Sequence, residues 1–228
     1  MKRIDGRKSD ELRPIRAEVG IIPNANGSAL FALGNTIAVA AVYGPRLMHP
    51  KHLQESDRAF LRTIYSLIPF STKERNRPGP SRRSIEICKV TREALEPAVI
   101  LEEYPKTAID VFIDIVQADA GTRTAGINAA SMALADAGIP MRDLVAAVAS
   151  GKIENEYVID LAGKEEEVTA CDMPVAYMPN RKLVTLMQMD GDISVKDAKK
   201  ILDLSIKGCM KIYEKQKEAL KKKWMVRI

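Results

Sequence analysis

A chain of 228 residues can form one large domain or two small ones, and 46% hydrophobic with only 5% aromatic side chains calls for an aliphatic core. No apolar run approaches the roughly 18 residues of a membrane span. The charged N-terminus MKRIDGRKSDELR lacks the apolar middle of a secretory signal, and Cys88, Cys171 and Cys209 cannot all pair with one another, so a cytoplasmic, reducing location is expected.

The first predicted strand covers residues 15–22 (IRAEVGII). A turn at Asn24-Ala25-Asn26-Gly27 leads into SALFALG, which pairs with TIAVAAVYG across Gly34-Asn35. A further strand at 59–68 ends at Pro69, and RPGPS then announces a helix over residues 82–96, with Ser81 as its cap and Pro97 as its end. The segment TAIDVFIDIVQAD alternates strongly and reads as a strand, AGTR as a tight turn, and TAGINAASMALADAG as a small-residue helix closed by Gly138. Strands at about 143–150, 156–161, 172–178 and 183–189 follow, and Ser194 with Asp197 caps a last helix. The order is α+β: two strand-rich halves, each leading into a helix, as in a pseudo-duplicated domain.

The net charge of +5 matters through its placement. Lys73, Arg75, Arg77, Arg82 and Arg83 face only Glu74 in a Pro/Gly-rich loop that runs into an apolar helix, which points to a polyanion partner. The C-terminal lysines Lys221, Lys222 and Lys223 read instead as a solvated face.

Three places can carry chemistry. At Ala120-Gly121-Thr122-Arg123 a helix begins, where free N–H groups and the helix dipole favour an anion. Gly121 permits close approach, Thr122 offers a hydroxyl and Arg123 can chelate two phosphate oxygens. The segment is neither a dinucleotide fingerprint nor a P-loop, and an ordinary glycine turn with a surface arginine is an equal reading. Arg82 and Arg83 occupy a second helix N-terminus, where arginine opposes the dipole unless an anion binds; a solvated basic loop is the alternative.

The third place is Glu165-Glu166-Glu167, followed by Asp172 at the start of an apolar strand. Were Glu166 and Asp172 to converge, they could hold Mg²⁺ or pass a proton to a leaving oxygen, whereas Glu165 and Glu167 read as turn residues. His49 and His52 have no further ligand nearby, Cys171 has no histidine base, and Tyr65 reads as core. Together these features point to phosphoryl chemistry on a polyanion and leave phosphatase, nuclease, kinase and phosphate-binding module open.

Several long segments narrow that choice: RPGPSRRSIEICKVTREALEPAV, QADAGTRTAGINAASMALADAGIPMRDLVAAVASGK, CDMPVAYMPN, DGRKSDELRPI and YGPRLMHPKHLQ. Their order and spacing closely resemble the catalytic RNase PH-type subunits of archaeal exosomes, in the RNase PH and polynucleotide phosphorylase superfamily, over essentially the whole chain. The resemblance implies a single RNase PH domain over residues 1–228 with two related β-α halves, like domain 2 of ribosomal protein S5. Residues 1–14 would form an N-terminal extension and about 194–223 a C-terminal helix.

It also implies phosphorolytic 3′-to-5′ exoribonuclease activity that releases nucleoside 5′-diphosphates, with reverse tailing. Inorganic phosphate, the co-substrate, would lie on Gly121, Thr122 and Arg123 with Arg83 close by. Arg82 and Arg83 would grip the RNA backbone, and Lys51 would line the neck of the RNA channel. Asp172 and Glu166 would be the acidic pair and the ligands of Mg²⁺. Glu166 stands where the family usually has aspartate, and its extra methylene requires the carboxylate to sit back or the metal to move; otherwise Glu165 or Glu167 would serve. The implied assembly is a hexameric ring, a trimer of heterodimers with a non-catalytic paralogue, bearing RNA-binding cap proteins. The alternatives are a non-catalytic RNA-binding ring subunit and a homohexameric, tRNA-trimming RNase PH.

Overall fold

The computed structural model describes residues 3, 5–166 and 168–225. The first half builds a sheet from β1 (Ile15–Val19), β2 (Gly27–Leu33), β3 (Thr36–Leu47), β4 (Phe60–Leu67) and β5 (Thr107–Gln117), in the order β1-β2-β3-β5-β4. Its neighbours are antiparallel except β4 and β5, which are parallel. Parallel strands need a crossover, and the segment holding α1 (Arg82–Leu95) supplies it. Ser81 caps α1 in a reciprocal box with Ser84, and Pro97 follows in a short 3-10 turn.

The second sheet contains β6 (Ala146–Ile153), β7 (Glu156–Ile159), β8 (Cys171–Met178), β9 (Leu183–Met187) and β10 (Asp190–Gly191). Its order is β10-β8-β6-β7, with β9 also paired to β8. The one-turn helix α3 (Gly163–Glu166) precedes β8, and the long helix α4 (Val195–Met225) packs over the sheet and against β1.

Between the two sheets lies α2 (Thr122–Asp136), which contacts β2, β3 and β5 on one side and β6 and β8 on the other. A helix enclosed on all sides cannot be amphipathic, and its run of alanines and small residues is what fits two flanking sheets. Asn128 and Ser131 are satisfied by the second half, and Asp136 by the Ser28 N–H of β2. Asn128 Nδ2 donates to the Ala147 carbonyl and its Oδ1 accepts from the Ala147 N–H, both at 2.8 Å. Gln216 of α4 donates to Asn128 Oδ1 at 3.1 Å and to the Val145 carbonyl at 3.0 Å. One continuous hydrophobic core therefore runs from Ala29 in β2 to Tyr213 in α4.

The predicted elements are all present, with shifted ends. β5 stops at Gln117 because Ala118 and Asp119 turn their N–H groups to the Ser71 carbonyl and the Thr36 hydroxyl. AGTR is not a four-residue turn. Left-handed Ala120 (φ 58°) and Gly121 (φ 64°) do the turning, and Thr122 and Arg123 are already helical. β6 starts three residues later than expected, since Asp143 is engaged in capping Leu144 and Asn180. Glu165 and Glu166 lie in α3 rather than in a plain turn. Ser194 accepts the Asp197 N–H at 3.1 Å, but the Asp197 carboxylate turns away to Lys152 at 2.8 Å and Tyr157 at 2.7 Å.

Gly27 marks the tightest contact between β2 and α2: a Cβ there would collide with the Ala137 amide nitrogen and the Ala133 carbonyl. Because those are backbone atoms, Gly27→Ala is expected to cost at least about 2 kcal/mol. A denaturant midpoint equal to that of the unsubstituted chain would contradict this packing.

Candidate active site

Two adjoining cavities, of about 220 and 670 Å³, share Arg83, Arg123, Glu166, Asp172 and Pro174 in their walls. Gly121 and Thr122 close the smaller one, and Glu86, Gln188 and Asp190 line the larger. The site thus draws on the N-termini of α1 and α2 and, from the second sheet, on α3, β8 and the β9–β10 turn.

The phosphate-loop candidate owes its shape to what its carbonyls do. The Asp119 carbonyl accepts from Arg13 Nη1 at 2.5 Å, the Ala120 carbonyl from the Thr36 hydroxyl at 2.6 Å, and the Gly121 carbonyl from Thr124 Oγ1 at 2.9 Å and the Ala125 N–H at 3.0 Å. Every oxygen of the turn therefore points into the protein. Gly121 is the N-cap of α2 and no side chain caps it, so the helix presents free N–H groups and its positive dipole end to the smaller cavity. Arg123 stands beside it, donating Nη1 to Gln188 Oε1 and lying 3.5 Å from Glu86 Oε1. Arg82 and Arg83 are exposed on the first turn of α1.

Across the cavity, Asp172 is half-buried at the start of β8, and its Oδ1 is buried without a hydrogen-bond partner. Burial first, and then the negative charge of Glu166, push its pKa up to about 6, although Arg123 and Arg83 pull in the opposite direction. Asp190 faces Asp172 directly across the β10–β8 pair and adds to the upward push. Like charges opposed in this way destabilise a sheet unless a cation or a proton intervenes.

The sequence-predicted residues Gly121, Thr122, Arg123, Arg83, Glu166 and Asp172 thus meet in one place, with Arg82 beside Arg83 on the same helix turn. Lys51 does not join them. It lies beyond Leu47, which pairs with the first residue of β5, whereas Gly121 follows the last, so an 11-residue strand of roughly 35 Å separates the two ends. Glu165 is not a spare catalytic acid: it is 1% exposed, accepts from Arg3 at 2.9 and 2.6 Å, and caps α3 through the Ala162 N–H. Glu167 lies outside the described residues. Cys171 and Tyr65 are buried as packing residues, as expected.

Sequence reasoning missed Glu86, Gln188 and Asp190. Glu86 is three residues after Arg83 on the same helix face and could have been found from helical spacing. Gln188 and Asp190 carry no such signal, since only the pairing of β9 and β10 with β8 brings them in.

Comparison with known proteins gives the family. Models of the 3′ exoribonuclease family match residues 11–140 as domain 1 and residues 143–208 as domain 2. The chain belongs to the 3′ exoribonuclease family. The division between the two family domains falls between α2 and β6, where the first half ends. Among relatives of this exoribonuclease, the exosome complex component Rrp41 of Pyrococcus abyssi is 60% identical over 224 residues, 98% of this chain and 90% of that protein. The Rrp41 of Methanopyrus kandleri is 54% identical over 97% of this chain and 93% of that one. Rice Rrp46 superposes with a TM-score of 0.87 at 25% identity, over 96% of this chain and all of that one. A chain from the Archaeoglobus fulgidus exosome with RNA bound to the active site gives 0.82 at 28% identity, over 94% and 92%. The RNase PH fold expected from the sequence is the fold observed.

The strain at Asp172 makes a pH-dependent prediction. With its pKa raised from 3.8 to about 6, the folded exoribonuclease binds this proton more tightly than the unfolded chain does. Stability is therefore lost as pH rises through that window, and the deficit is complete above it. Metal-free Asp172→Asn is expected to melt at a higher temperature than the unsubstituted protein near neutral pH, with the gap closing below the ordinary carboxylate range. A gap independent of pH in a thermal-shift series would show that the site imposes no such cost.

Proposed function

We propose that this chain is the catalytic subunit of an exosome ring, degrading RNA from its 3′ end by phosphorolysis. The observation that carries the reading is one cleft with an uncapped helix N-terminus and two arginines on one wall and a perturbed aspartate with a glutamate on the other. Anion recognition and proton management are thereby separated by a cavity of about 220 Å³.

In this mechanism inorganic phosphate sits on the Gly121–Arg123 turn, with Thr122 and Arg123 as its ligands and Arg83 close to it. A phosphate oxygen attacks the phosphorus joining the last two nucleotides, in line with the bond to the 3′ oxygen. Arg82 and Arg83 neutralise the RNA phosphates. The P–O3′ bond breaks, a nucleoside 5′-diphosphate leaves, and the shortened RNA keeps a 3′ hydroxyl. That hydroxyl needs a proton, and the upward-shifted Asp172 holds one in a large fraction of molecules at mildly acid pH. Phosphate rather than water is the nucleophile, and a phosphodiester is exchanged for a phosphoanhydride, so 3′ tailing from diphosphates is the same path reversed.

The acidic wall also suits a hard divalent cation. Among the described residues no three His, Cys, Asp or Glu side chains converge into a cage. Mg²⁺ needs no such cage, because it binds through one or two carboxylates, water and substrate phosphate. Glu166 and Asp172 would hold it, and the partnerless Asp172 Oδ1 is an oxygen awaiting a cation or a proton. When bound, it supplies charge stabilisation for the departing oxygen.

For assembly we infer a hexameric ring with a non-catalytic paralogue, crowned by RNA-binding cap proteins, working in the cytoplasm. The edge strand β9 supports a partner surface, with Leu183 53% and Met187 59% exposed. Lys51, remote from the cleft along β5, would meet RNA on its way in.

The deciding assay uses the chain copurified with its partner, end-labelled oligoadenylate and Mg²⁺, with and without phosphate. Phosphate-dependent release of ADP is expected, abolished in Asp172→Ala and impaired in Glu166→Ala. Release of monophosphate alone would sink phosphorolysis, and tight RNA binding without any release would leave an RNA-binding scaffold. Because the RNA contacts go to phosphates, affinity should fall with salt, and Arg82→Ala should flatten the log–log slope by roughly 0.7. An unchanged slope would remove Arg82 from the RNA path.

A further inference from the structure

Arg13 lies just before β1 and touches neither cavity, yet it is 6% exposed and fully committed. Its Nε and Nη2 donate to the Asp160 carboxylate at 3.0 and 2.7 Å, and its backbone N–H donates to the same group at 2.7 Å. The remaining arm, Nη1, donates to the Asp119 carbonyl at 2.5 Å. Asp119 immediately precedes the left-handed pair that opens α2. Asp160 is 2% exposed, left-handed itself (φ 53°), and stands between the end of β7 and the start of α3, the helix that carries Glu166.

One guanidinium thus spans the turn that presents the anion-binding N–H groups and the segment that presents an acid. The two segments also touch directly, since a Cβ on Gly163 would collide with Asp119 Oδ1. The turn is anchored to the first sheet through Thr36, and α3 to the N-terminal segment through Arg3 and Glu165. Arg7 also holds the Asp160 end, at 3.2 Å to its carboxylate and 3.1 Å to its carbonyl, but the Arg13 fork is what joins Asp160 to the Asp119 carbonyl. Gly34 leaves room for it: a Cβ there would lie 2.7 Å from Arg13 Cδ.

We propose that Arg13, acting through Asp160 and the Asp119 carbonyl, is a positioning residue that sets the phosphate turn against the acidic wall. The inference rests on the phosphorolytic reading above and extends it to a residue outside the cleft. A shift of about 1 Å in such a spacing can cost up to about a hundredfold in rate. RNA, gripped from α1, would be held as before.

The test uses the assembled complex carrying Arg13→Gln or Arg13→Lys. Phosphate and RNA are varied separately in steady-state kinetics, the dissociation constant of inorganic phosphate is measured by ³¹P NMR titration, and that of RNA by fluorescence anisotropy. For Arg13→Gln, kcat/KM for phosphate is expected to fall at least about tenfold and phosphate to bind more weakly, with RNA affinity within about twofold. Arg13→Lys keeps the charge beside Asp160, and so the fold, but a single ammonium cannot replace a fork that reaches two partners. The phosphate defect should therefore persist in it, which guards against a glutamine variant that fails to fold.

Folded variants with unaltered phosphate affinity and unaltered kcat/KM for phosphate would overturn the proposal. So would a lowered melting temperature accompanied by equal losses toward RNA and phosphate, the signature of a merely structural role. Should the unsubstituted complex release no diphosphate, the phosphorolytic reading falls. The phosphate titration then still decides the role of Arg13, by whether the variants bind phosphate more weakly.

Discussion

The site depends on two consecutive left-handed residues, Ala120 and Gly121. Glycine takes this conformation freely, whereas alanine pays roughly 1–2 kcal/mol for it, so the surroundings must hold the turn in place. They do so by claiming each carbonyl: Arg13 takes that of Asp119, Thr36 that of Ala120, and α2 itself that of Gly121. With its oxygens turned inward and no side chain over the N-cap, the helix end is left as a field of N–H donors. A serine or aspartate at the N-cap would have stabilised the helix and filled the anion's place.

The same helix explains why the two halves form one body. Buried α2 serves both sheets, and its Asn128 and Ser131 satisfy backbone groups at Ala147 and Val145 of the second half. Buried hydrogen bonds of this kind fix register more sharply than apolar contact, because a slipped arrangement strands polar groups away from water. The middle of α2 is therefore held in register on β6, the strand that pairs with β8, where Asp172 lies.

Across the cavity the electrostatics are balanced rather than neutralised. Arg83 and Arg123 oppose the burial and the Glu166 charge that lift the Asp172 pKa, and the lift wins, leaving a carboxyl poised between its two protonation states. Arg123 meanwhile is shared with Gln188 and Glu86, which keep its guanidinium at the mouth of the cleft. The cost to stability comes from the burial of Asp172 and from the like charges of Glu166 and Asp190 beside it, which makes the place suited to a cation or a proton.

Much of this was legible in the chain before any coordinates. Alternation marked β5, the alanine-rich run marked α2, and Ser81 with RPGPS marked the start of α1, because each rests on local periodicity or capping chemistry. The residue types at 82–83, 121–123, 166 and 172 pointed to phosphoryl chemistry for the same local reason. Whether they converge was not local: 50 residues separate Asp172 from Thr122, and only the packing of α2 between the sheets closes that distance. The same holds for Glu165 and Glu166, adjacent and alike in sequence, of which Arg3 buries one and leaves the other to the cleft. The amino-acid sequence by itself determined the elements, the chemistry at hand and the family. The tertiary structure decided which carboxylate lines the cleft, how far the Asp172 proton is held and which buried arginine reaches both walls, since burial and long-range pairing exist only once the chain has closed on itself.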